Sequence, residues 1–154
     1  MASDYRVRDF MTAPATTISQ DSYLIDAALL LRSTGIRHLP IVDGDRLVGI
    51  ITDRDIQRGA PSLLEVTTQE EYNAVFKRTP LAHVMVRDPL FVSPDTPLRD
   101  AAALLIEYKY GCLPVVEKGK VVGMITVIDM LTVLRRFLMG ETVPAASDVP
   151  CAGR

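Results

Sequence analysis

Hydrophobic and polar positions follow a pattern along the chain that occurs twice. Two hydrophobic runs at 39–42 and 47–51 are separated by the polar turn Asp43-Gly44-Asp45, which predicts a β-hairpin. A second hairpin pattern lies 74 residues further on, around the turn Glu117-Lys118-Gly119. At this offset 17 of the 47 positions from 11 to 57 are identical, whereas unrelated chains would share roughly three. The chain is therefore an internal duplication.

An amphipathic helix is predicted before each hairpin. Its apolar residues recur at i, i+3, i+4 and i+7, which places them on one helical face. They are Leu24, Ala27, Ala28 and Leu31 in the first copy and Leu98, Ala101, Ala102 and Leu105 in the second. The predicted N-cap is Ser22 in the first copy and Thr96, followed by Pro97 in the first turn, in the second copy. A second helix follows each hairpin, so each copy has the order strand, helix, strand, strand, helix.

The remaining segments join or flank the copies. Short leading helices are predicted over 4–11 and over 79–85, one ahead of each copy. Between the copies, a turn at 59–62 precedes an amphipathic helix capped by Thr67 or Thr68, with Tyr72, Val75 and Phe76 on one face. That helix either covers the core or meets a partner. Gly140 is expected to end the last helix, and the tail at 139–154 is expected to be disordered.

Composition narrows the class of protein. The 154 residues carry a net charge of −2, and their few arginines are too scattered for a nucleic-acid footprint. The N-terminus lacks a signal pattern and no apolar run approaches membrane length, so we expect a soluble cytoplasmic protein. Cys112 and Cys151 lie at no metal-like spacing and are expected to be free thiols.

The doubled motif resembles a pair of cystathionine β-synthase (CBS) domains. Each copy has a Met near its start, a helix with Asp-Ala-Ala, a Leu-Pro-hydrophobic-Val strand, and then Gly-hydrophobic-Ile-Thr-x-x-Asp. By this likeness, CBS motif 1 covers 5–58, a linker with the amphipathic helix covers 59–79, CBS motif 2 covers 80–138, and the tail follows. The Gly-Ala-Pro-Ser-Leu start of the linker also resembles the stand-alone CBS pairs known as acetoin utilisation proteins.

The resemblance implies an α/β (α+β) fold, with two β-α-β-β-α motifs packed with pseudo-twofold symmetry into one CBS-pair module. It implies homodimers and a regulatory ligand that contains adenosine: AMP, ADP, ATP or S-adenosylmethionine. Such a module senses its ligand and passes a conformational change to an effector protein. No catalytic residue, catalytic cofactor or metal is expected, and neither nucleic acid nor membrane is an expected partner.

Two Thr-x-x-Asp pairs suit such a ligand. Thr52 and Asp55, like Thr126 and Asp129, lie three residues apart where a helix begins. An ionised carboxylate only accepts hydrogen bonds and can take both ribose hydroxyls, while the Thr hydroxyl and the first helical amides suit a phosphate. The alternative is local N-capping by Thr with an Asp favoured in the first turn. Because the pair occurs twice at the same place, we favour ligand binding.

Neighbouring residues are predicted to complete two ligand sites. Pro40 and Pro114 cannot donate to a sheet, so each should lie at a strand start or edge, which leaves the preceding backbone groups free to bind an adenine edge. A neighbouring strand would supply further contacts, although Ile18 and Val92 suit ordinary sheet core equally well. The predicted contacts besides the Thr-x-x-Asp pairs are Thr16, Thr17, Ile18, Ile36, Arg37, His38, Leu39, Pro40, Arg54, Phe91, Val92, Tyr110, Gly111, Cys112, Leu113 and Pro114.

The two sites are not equivalent. Arg37, His38 and Arg54 of the first copy are replaced by Gly111, Cys112 and Ile128 in the second. A guanidinium suits phosphate, so we expect phosphate charge near Arg54 and Arg37, although both also suit a solvated surface. His38 is interpreted as a strand residue rather than a phosphate contact. Lys109 is either a contact of the second site or a solvent-facing lysine.

Two other functions compete with ligand sensing. Asp53, Asp55 and His38 would allow an acid–base or metal cluster, but the sequence has no catalytic triad order, no metal spacing and no P-loop. Alternatively, the linker helix and the final helix, with Leu131, Leu134, Phe137 and Leu138, form a scaffold that docks partners without any ligand.

Overall fold

The computed structural model describes residues 5–60 and 68–141, which fall into two compact units. The unit from Thr16 to Pro89 holds the first copy of the repeat and is called the first-repeat unit. The residues up to Ala15 join those from Leu90 onwards to form the second-repeat unit. Each unit is mixed α/β, as the sequence predicted.

The first-repeat unit contains a four-stranded sheet in the order β1-β2-β3-β4. Strand β1 runs parallel to β2, and the other neighbouring pairs are antiparallel. Its elements are β1 (Ile18–Ser19), α1 (Leu24–Thr34), β2 (His38–Asp43), β3 (Arg46–Thr52), α2 (Asp53–Gly59), α3 (Gln69–Arg78), a 3₁₀-helix at Leu81–His83, and β4 (Val86–Arg87). The predicted strand-helix-strand-strand-helix order is confirmed here.

The second-repeat unit repeats this plan with a smaller sheet. Its elements are a 3₁₀-helix at Val7–Asp9, α4 (Leu98–Tyr108), β5 (Cys112–Glu117), β6 (Lys120–Thr126) and α5 (Val127–Leu138). Strands β5 and β6 form an antiparallel hairpin. In place of strands corresponding to β1 and β4, this unit has isolated β-bridges. Val92 pairs with Val115, and Thr12 pairs with Met124.

The predicted apolar helix faces form the two cores. Leu24, Ala27 and Leu31 of α1 are buried with Leu39 and Ile51 of the hairpin. The alanines Ala27 and Ala101 are fully buried. Their small side chains let each helix approach its sheet closely, which is what a densely packed interior requires.

Both predicted hairpins are present, with turns of two residues rather than the three predicted, and the prolines lie deeper in their strands than expected. Gly44 in the first turn, and Lys118 with Gly119 in the second, have positive φ, as tight hairpin turns require. Pro40 is the third residue of β2, so the prediction of a strand start was wrong. It is tolerated because β1 begins only at Ile18, opposite Ile41, and no β1 residue pairs with Pro40.

The leading segments are shorter than predicted, and each serves the other copy of the repeat. The predicted helices over 4–11 and 79–85 shrink to single 3₁₀ turns. Met85 packs against Gly49 of the first repeat, and Met11 packs against Gly123 of the second. A methyl group at Gly123 would lie 2.8 Å from the Thr12 carbonyl oxygen, so only glycine fits this approach.

These segments also cap the amphipathic helices, whereas the sequence analysis predicted side-chain caps. The Leu24 amide donates to the Thr79 carbonyl at 2.8 Å, and the Leu98 amide donates to the Tyr5 carbonyl at 2.8 Å. The helices begin one residue later than predicted, so Ser22 and Thr96 are not the caps. Main-chain carbonyls from a distant part of the chain take their place.

The linker helix α3 covers the core of the first-repeat unit. Thr68, one of the two predicted caps, caps this helix and forms a capping box with Glu71. Phe76 is buried and Tyr72 packs beside it. Gly140, with φ of 70°, follows the end of α5. The rest of the predicted tail, 142–154, and the turn residues 61 and 62 lie outside the described residues. Within 5–60 and 68–141, no helix is long and apolar enough to cross a membrane.

Candidate functional site

The same arrangement of strand and helix starts recurs at one end of each hairpin. In the first-repeat unit His38, which begins β2, lies opposite Thr52, which ends β3. The Asp53 amide donates to the Arg37 carbonyl at 3.3 Å and ties the start of α2 to the start of β2. This end, opposite the turn, is called the first hairpin mouth.

The second-repeat unit has the matching second hairpin mouth. Cys112 lies opposite Thr126, and the Val127 amide donates to the Gly111 carbonyl at 3.0 Å. In each mouth the Thr of the Thr-x-x-Asp pair therefore lies opposite the start of the first hairpin strand.

Both Thr-x-x-Asp pairs form the local capping arrangement that was the alternative to ligand binding. Oδ2 of Asp55 accepts from the Thr52 amide at 2.9 Å and from its hydroxyl at 2.7 Å. The corresponding distances to Asp129 from Thr126 are 2.7 Å and 2.8 Å. Oδ1 of each carboxylate accepts no hydrogen bond from residues 5–60 and 68–141. One acceptor oxygen per mouth is thus uncommitted, and the ribose role stays a prediction.

Backbone groups at the start of each hairpin strand face a side with little pairing. Val92 bonds to the Pro114 carbonyl at 3.0 Å, and the Val116 amide bonds back to Val92 at 2.8 Å. Because N–H and C=O of alternate strand residues point the same way, those of Cys112 face this side too. The pairing on this side begins at Val92, and the residues just before it, Leu90 and Phe91, form no strand that could bind the Cys112 main chain. Leu113 and Pro114, like Leu39 and Pro40, have fully buried side chains, so only their main chains are available.

The neighbouring strand residues divide into core and surface. Ile18 and Val92 are buried members of the two hydrophobic cores, which agrees with the core alternative given for them. Thr16 is exposed and Thr17 is half-buried. The Phe91 side chain is 55% exposed, so it is free to contact a ligand.

Charged side chains of both signs lie at the first hairpin mouth. Arg37 and Arg54 are exposed, and neither guanidinium has a carboxylate within salt-bridge distance among the described residues. Burial lowers the pKa of His38, an effect that Asp53 and Asp55 oppose and Arg37 reinforces. His38 therefore lies among charged groups. Within residues 5–60 and 68–141, however, no three His, Cys, Asp or Glu side chains are grouped to hold a metal ion.

Apolar and aromatic groups surround the second hairpin mouth. Ile128 is 67% exposed at the position of Arg54. Burial raises the pKa of the Cys112 thiol to about 12. Burial also raises the pKa of Asp129, against the hydrogen bonds from Thr126 that lower it. Tyr110 stacks on Tyr108 with ring centroids 5.7 Å apart.

Lys109, between the two tyrosines, has a left-handed backbone with φ of 55° where the first copy has Gly35. Tyr108 was missed from the sequence because position 34 of the first copy is a threonine and gave no aromatic signal.

Comparison with known proteins agrees with the duplicated architecture. A model of the CBS domain family matches residues 7–61 and again residues 81–136. A structure from Vibrio cholerae described as an acetoin utilization protein is 36% identical, with a TM-score of 0.72, and the match covers 88% of this chain and 93% of that one.

Two similar structures hold adenosine compounds. CBSX2, a protein of Arabidopsis thaliana, was crystallised with AMP; it is 29% identical, the match covers 87% of this chain and 98% of that one, and the TM-score is 0.71. The domain pair of protein MJ0100 was crystallised with 5′-methylthioadenosine and S-adenosylmethionine. It is 29% identical, with 84% and 99% coverage and a TM-score of 0.69.

Proposed function

Because the chain belongs to the CBS domain family, we propose that it is a regulatory module that binds adenosine-containing ligands at its hairpin mouths and passes their occupancy to an effector protein. The observation that carries this proposal is the Thr-x-x-Asp pair, which has the same geometry in both units. The relatives crystallised with AMP or S-adenosylmethionine support the ligand class. ADP and ATP belong to the same class.

The roles within each mouth follow from donor and acceptor chemistry. Oδ1 of Asp55 or Asp129 would accept a ribose hydroxyl, while Oδ2 stays bonded to the helix start. The main-chain groups of His38 or Cys112 would pair with the adenine edge. Exposed Phe91 would cover the base in the second mouth.

Calorimetric titration with AMP, ATP, adenosine and S-adenosylmethionine tests the proposal. Asp55→Ala and Asp129→Ala should each weaken binding at their own mouth by about 10- to 100-fold, because a hydrogen bond to a charged group contributes about 1.5–3 kcal/mol. Wild-type affinity in both variants would contradict the ribose role.

Glu71→Ala is the matched control, because it removes the carboxylate of a capping box on α3 that includes no residue of the first mouth. It should lower the free energy of unfolding by about 1 kcal/mol and leave binding unchanged. An effect of Glu71→Ala on affinity equal to that of Asp55→Ala would mean that lost stability, rather than a lost contact, explains the weaker binding.

The module is proposed to be regulatory rather than catalytic, and to work in the cytoplasm, where a reduced Cys112 thiol would persist. Incubation with ATP and magnesium should give no product. Turnover would overturn this part of the proposal.

A ligand-independent scaffold or dimer is the second candidate, and α5 is the observation that favours it. This helix has no fully buried residue, and apolar side chains line its outer surface. Those that are half exposed or more are Ile128, Leu131, Leu134, Phe137 and Leu138. An apolar face of this kind suits a second copy of the chain.

Sedimentation velocity tests the dimer. Leu134→Glu should convert a dimer to a monomer without unfolding it, since Leu134 is 50% exposed. A wild-type chain that sediments as a monomer at micromolar concentration would exclude this interface.

A further inference from the structure

The two hairpin mouths differ in the residues at the start of the first hairpin strand and of the following helix. In both, a backbone hydrogen bond joins residue 37 or 111 to the first residue of the following helix, 53 or 127. Positions 37 and 54 therefore adjoin each other in the first mouth, as 111 and 128 do in the second. Positions 54 and 128 directly precede the Asp of each pair, so they lie in the same first helical turn as the proposed ribose acceptor.

The first mouth has two cationic side chains at this place, beside the acidic Asp53, and the second mouth has none at the matching positions. Arg37 and Arg54 supply two exposed guanidiniums that no described carboxylate neutralises through a salt bridge. Gly111 and Ile128 supply none. A guanidinium binds the oxygens of a phosphate through two parallel hydrogen bonds, which neither glycine nor isoleucine can replace.

Apolar surface remains exposed in the second mouth. Ile128 is 67% exposed, and Val127 takes the place of the acidic Asp53. Asp129, next to Ile128 in the sequence, is half-buried, and Lys109, two residues before Gly111, is exposed. An exposed isoleucine gains free energy when an apolar group covers it and gains little from a phosphate.

We propose that the first mouth takes 5′-phosphorylated adenosine and that the second takes adenosine with an uncharged, apolar 5′ substituent such as a thioether, with positions 54 and 128 deciding between them. The module would then compare two classes of adenosine metabolite rather than bind one ligand twice. This inference rests on the proposed function. A related domain pair crystallised with 5′-methylthioadenosine shows that the fold accommodates such a compound in a relative.

Exchange of the two deciding residues tests the inference, with AMP, adenosine and 5′-methylthioadenosine as probes. Asp129→Ala isolates the first mouth, and Asp55→Ala isolates the second. Arg54→Ile is then added to the first background and Ile128→Arg to the second. Both exchanged residues are exposed, so their effect on folding should be small, and thermal melting of each variant checks this.

In the first background AMP should bind about tenfold or more tightly than adenosine, and Arg54→Ile should remove this preference while changing adenosine binding less than twofold. In the second background 5′-methylthioadenosine should bind at least as well as AMP, and Ile128→Arg should raise AMP affinity selectively. Higher salt should weaken AMP at the first mouth more than the thioether at the second.

Three results would overturn the inference. The first is tighter binding of AMP than of 5′-methylthioadenosine at the second mouth, above all if Lys109→Ala abolishes it, because Lys109 would then supply the missing cation. The second is an AMP preference that neither exchange changes. In both cases adenosine still binds and the proposed function stands. Failure of all three probes in both backgrounds would instead remove the proposed function together with this inference.

Discussion

Replacing Gly123 by alanine tests the packing of the N-terminal segment on the second repeat. The added methyl carbon would lie 2.8 Å from the Thr12 carbonyl oxygen and 2.9 Å from the Met11 sulfur. The sulfur belongs to a flexible side chain that can move away. The carbonyl oxygen cannot, because it accepts a hydrogen bond from the Met124 amide at 3.0 Å, while the Thr12 amide donates to Met124 at 2.9 Å.

The cost follows from either way of relieving the clash. If residues 11 and 12 stay in place, overpacking costs about 1–3 kcal/mol. If they lift off β6, two backbone hydrogen bonds of about 1 kcal/mol each are lost, together with the packing of Met11. Both routes lower the free energy of unfolding by about 2 kcal/mol. For a chain of this length, that is a fall in melting temperature of roughly 4–8 °C.

Gly49→Ala provides the comparison in the first-repeat unit. There the closest atom, at 2.6 Å, is the Met85 sulfur, and the Val86 carbonyl oxygen is 3.1 Å away. A double-mutant cycle should therefore show that Met85→Ala partly relieves Gly49→Ala, whereas Met11→Ala gives no relief to Gly123→Ala. A Gly123→Ala melting temperature within 1 °C of wild type would mean that residues 11 and 12 do not lie on β6.

Three further predictions concern single side chains. With its pKa raised to about 12 by burial, Cys112 should be almost entirely protonated at pH 8, so iodoacetamide should label a Cys151→Ser variant only as fast as the fold opens; labelling at the rate of a free thiol would contradict this. Because burial raises the pKa of Asp129, the folded protein binds the proton of this carboxyl more tightly than the unfolded chain does. The stability that this proton contributes is present below the pKa of the unfolded chain and is lost as pH rises through the pKa of the folded protein. Asp129→Asn should therefore gain stability relative to wild type between pH 4 and pH 7 in thermal melts, and a difference that does not change with pH would refute the shift. Phe76→Ala should cost about 3–5 kcal/mol in chemical unfolding, since Phe76 is buried in the first core; a loss below 1 kcal/mol would mean that α3 is not part of that core.

Local patterns in the sequence were sufficient for the hairpins and the helix faces. Leu24, Ala27 and Leu31 recur at helical spacing, and a buried helix face requires no more information than that. The prediction of the helix caps was wrong for a definite reason. The Leu24 amide is satisfied by the Thr79 carbonyl, 55 residues away in the chain, and no local pattern signals a main-chain partner at that distance.

The pairing of the leading segments could not be read from the sequence either. Met11 and Met85 are the same residue at the same place in each copy, so each is compatible with the glycine of either repeat. Duplication removes the information that would assign them.

The sequence predicts which residues meet at each mouth, and their role as ligand contacts stays a prediction. It grouped the start of the first hairpin strand with Thr52 or Thr126, and the structure places these residues opposite each other. The orientation of the carboxylates was not predictable, because the same three-residue spacing serves a capping box and a ribose acceptor. In the fold Asp55 and Asp129 each use one oxygen for the box and leave the other uncommitted.

The exchange of leading segments means that the duplication cannot be reversed by cutting the chain in the middle. A fragment ending at residue 60 would lack Leu81 and Met85, which fill its own interior, and would carry Val7, which belongs in the interior of the other fragment. We expect neither piece to close its core alone, whereas a mixture of the two should reassemble. Each compact unit is therefore assembled from residues on both sides of the chain's midpoint, and a cut there divides both units.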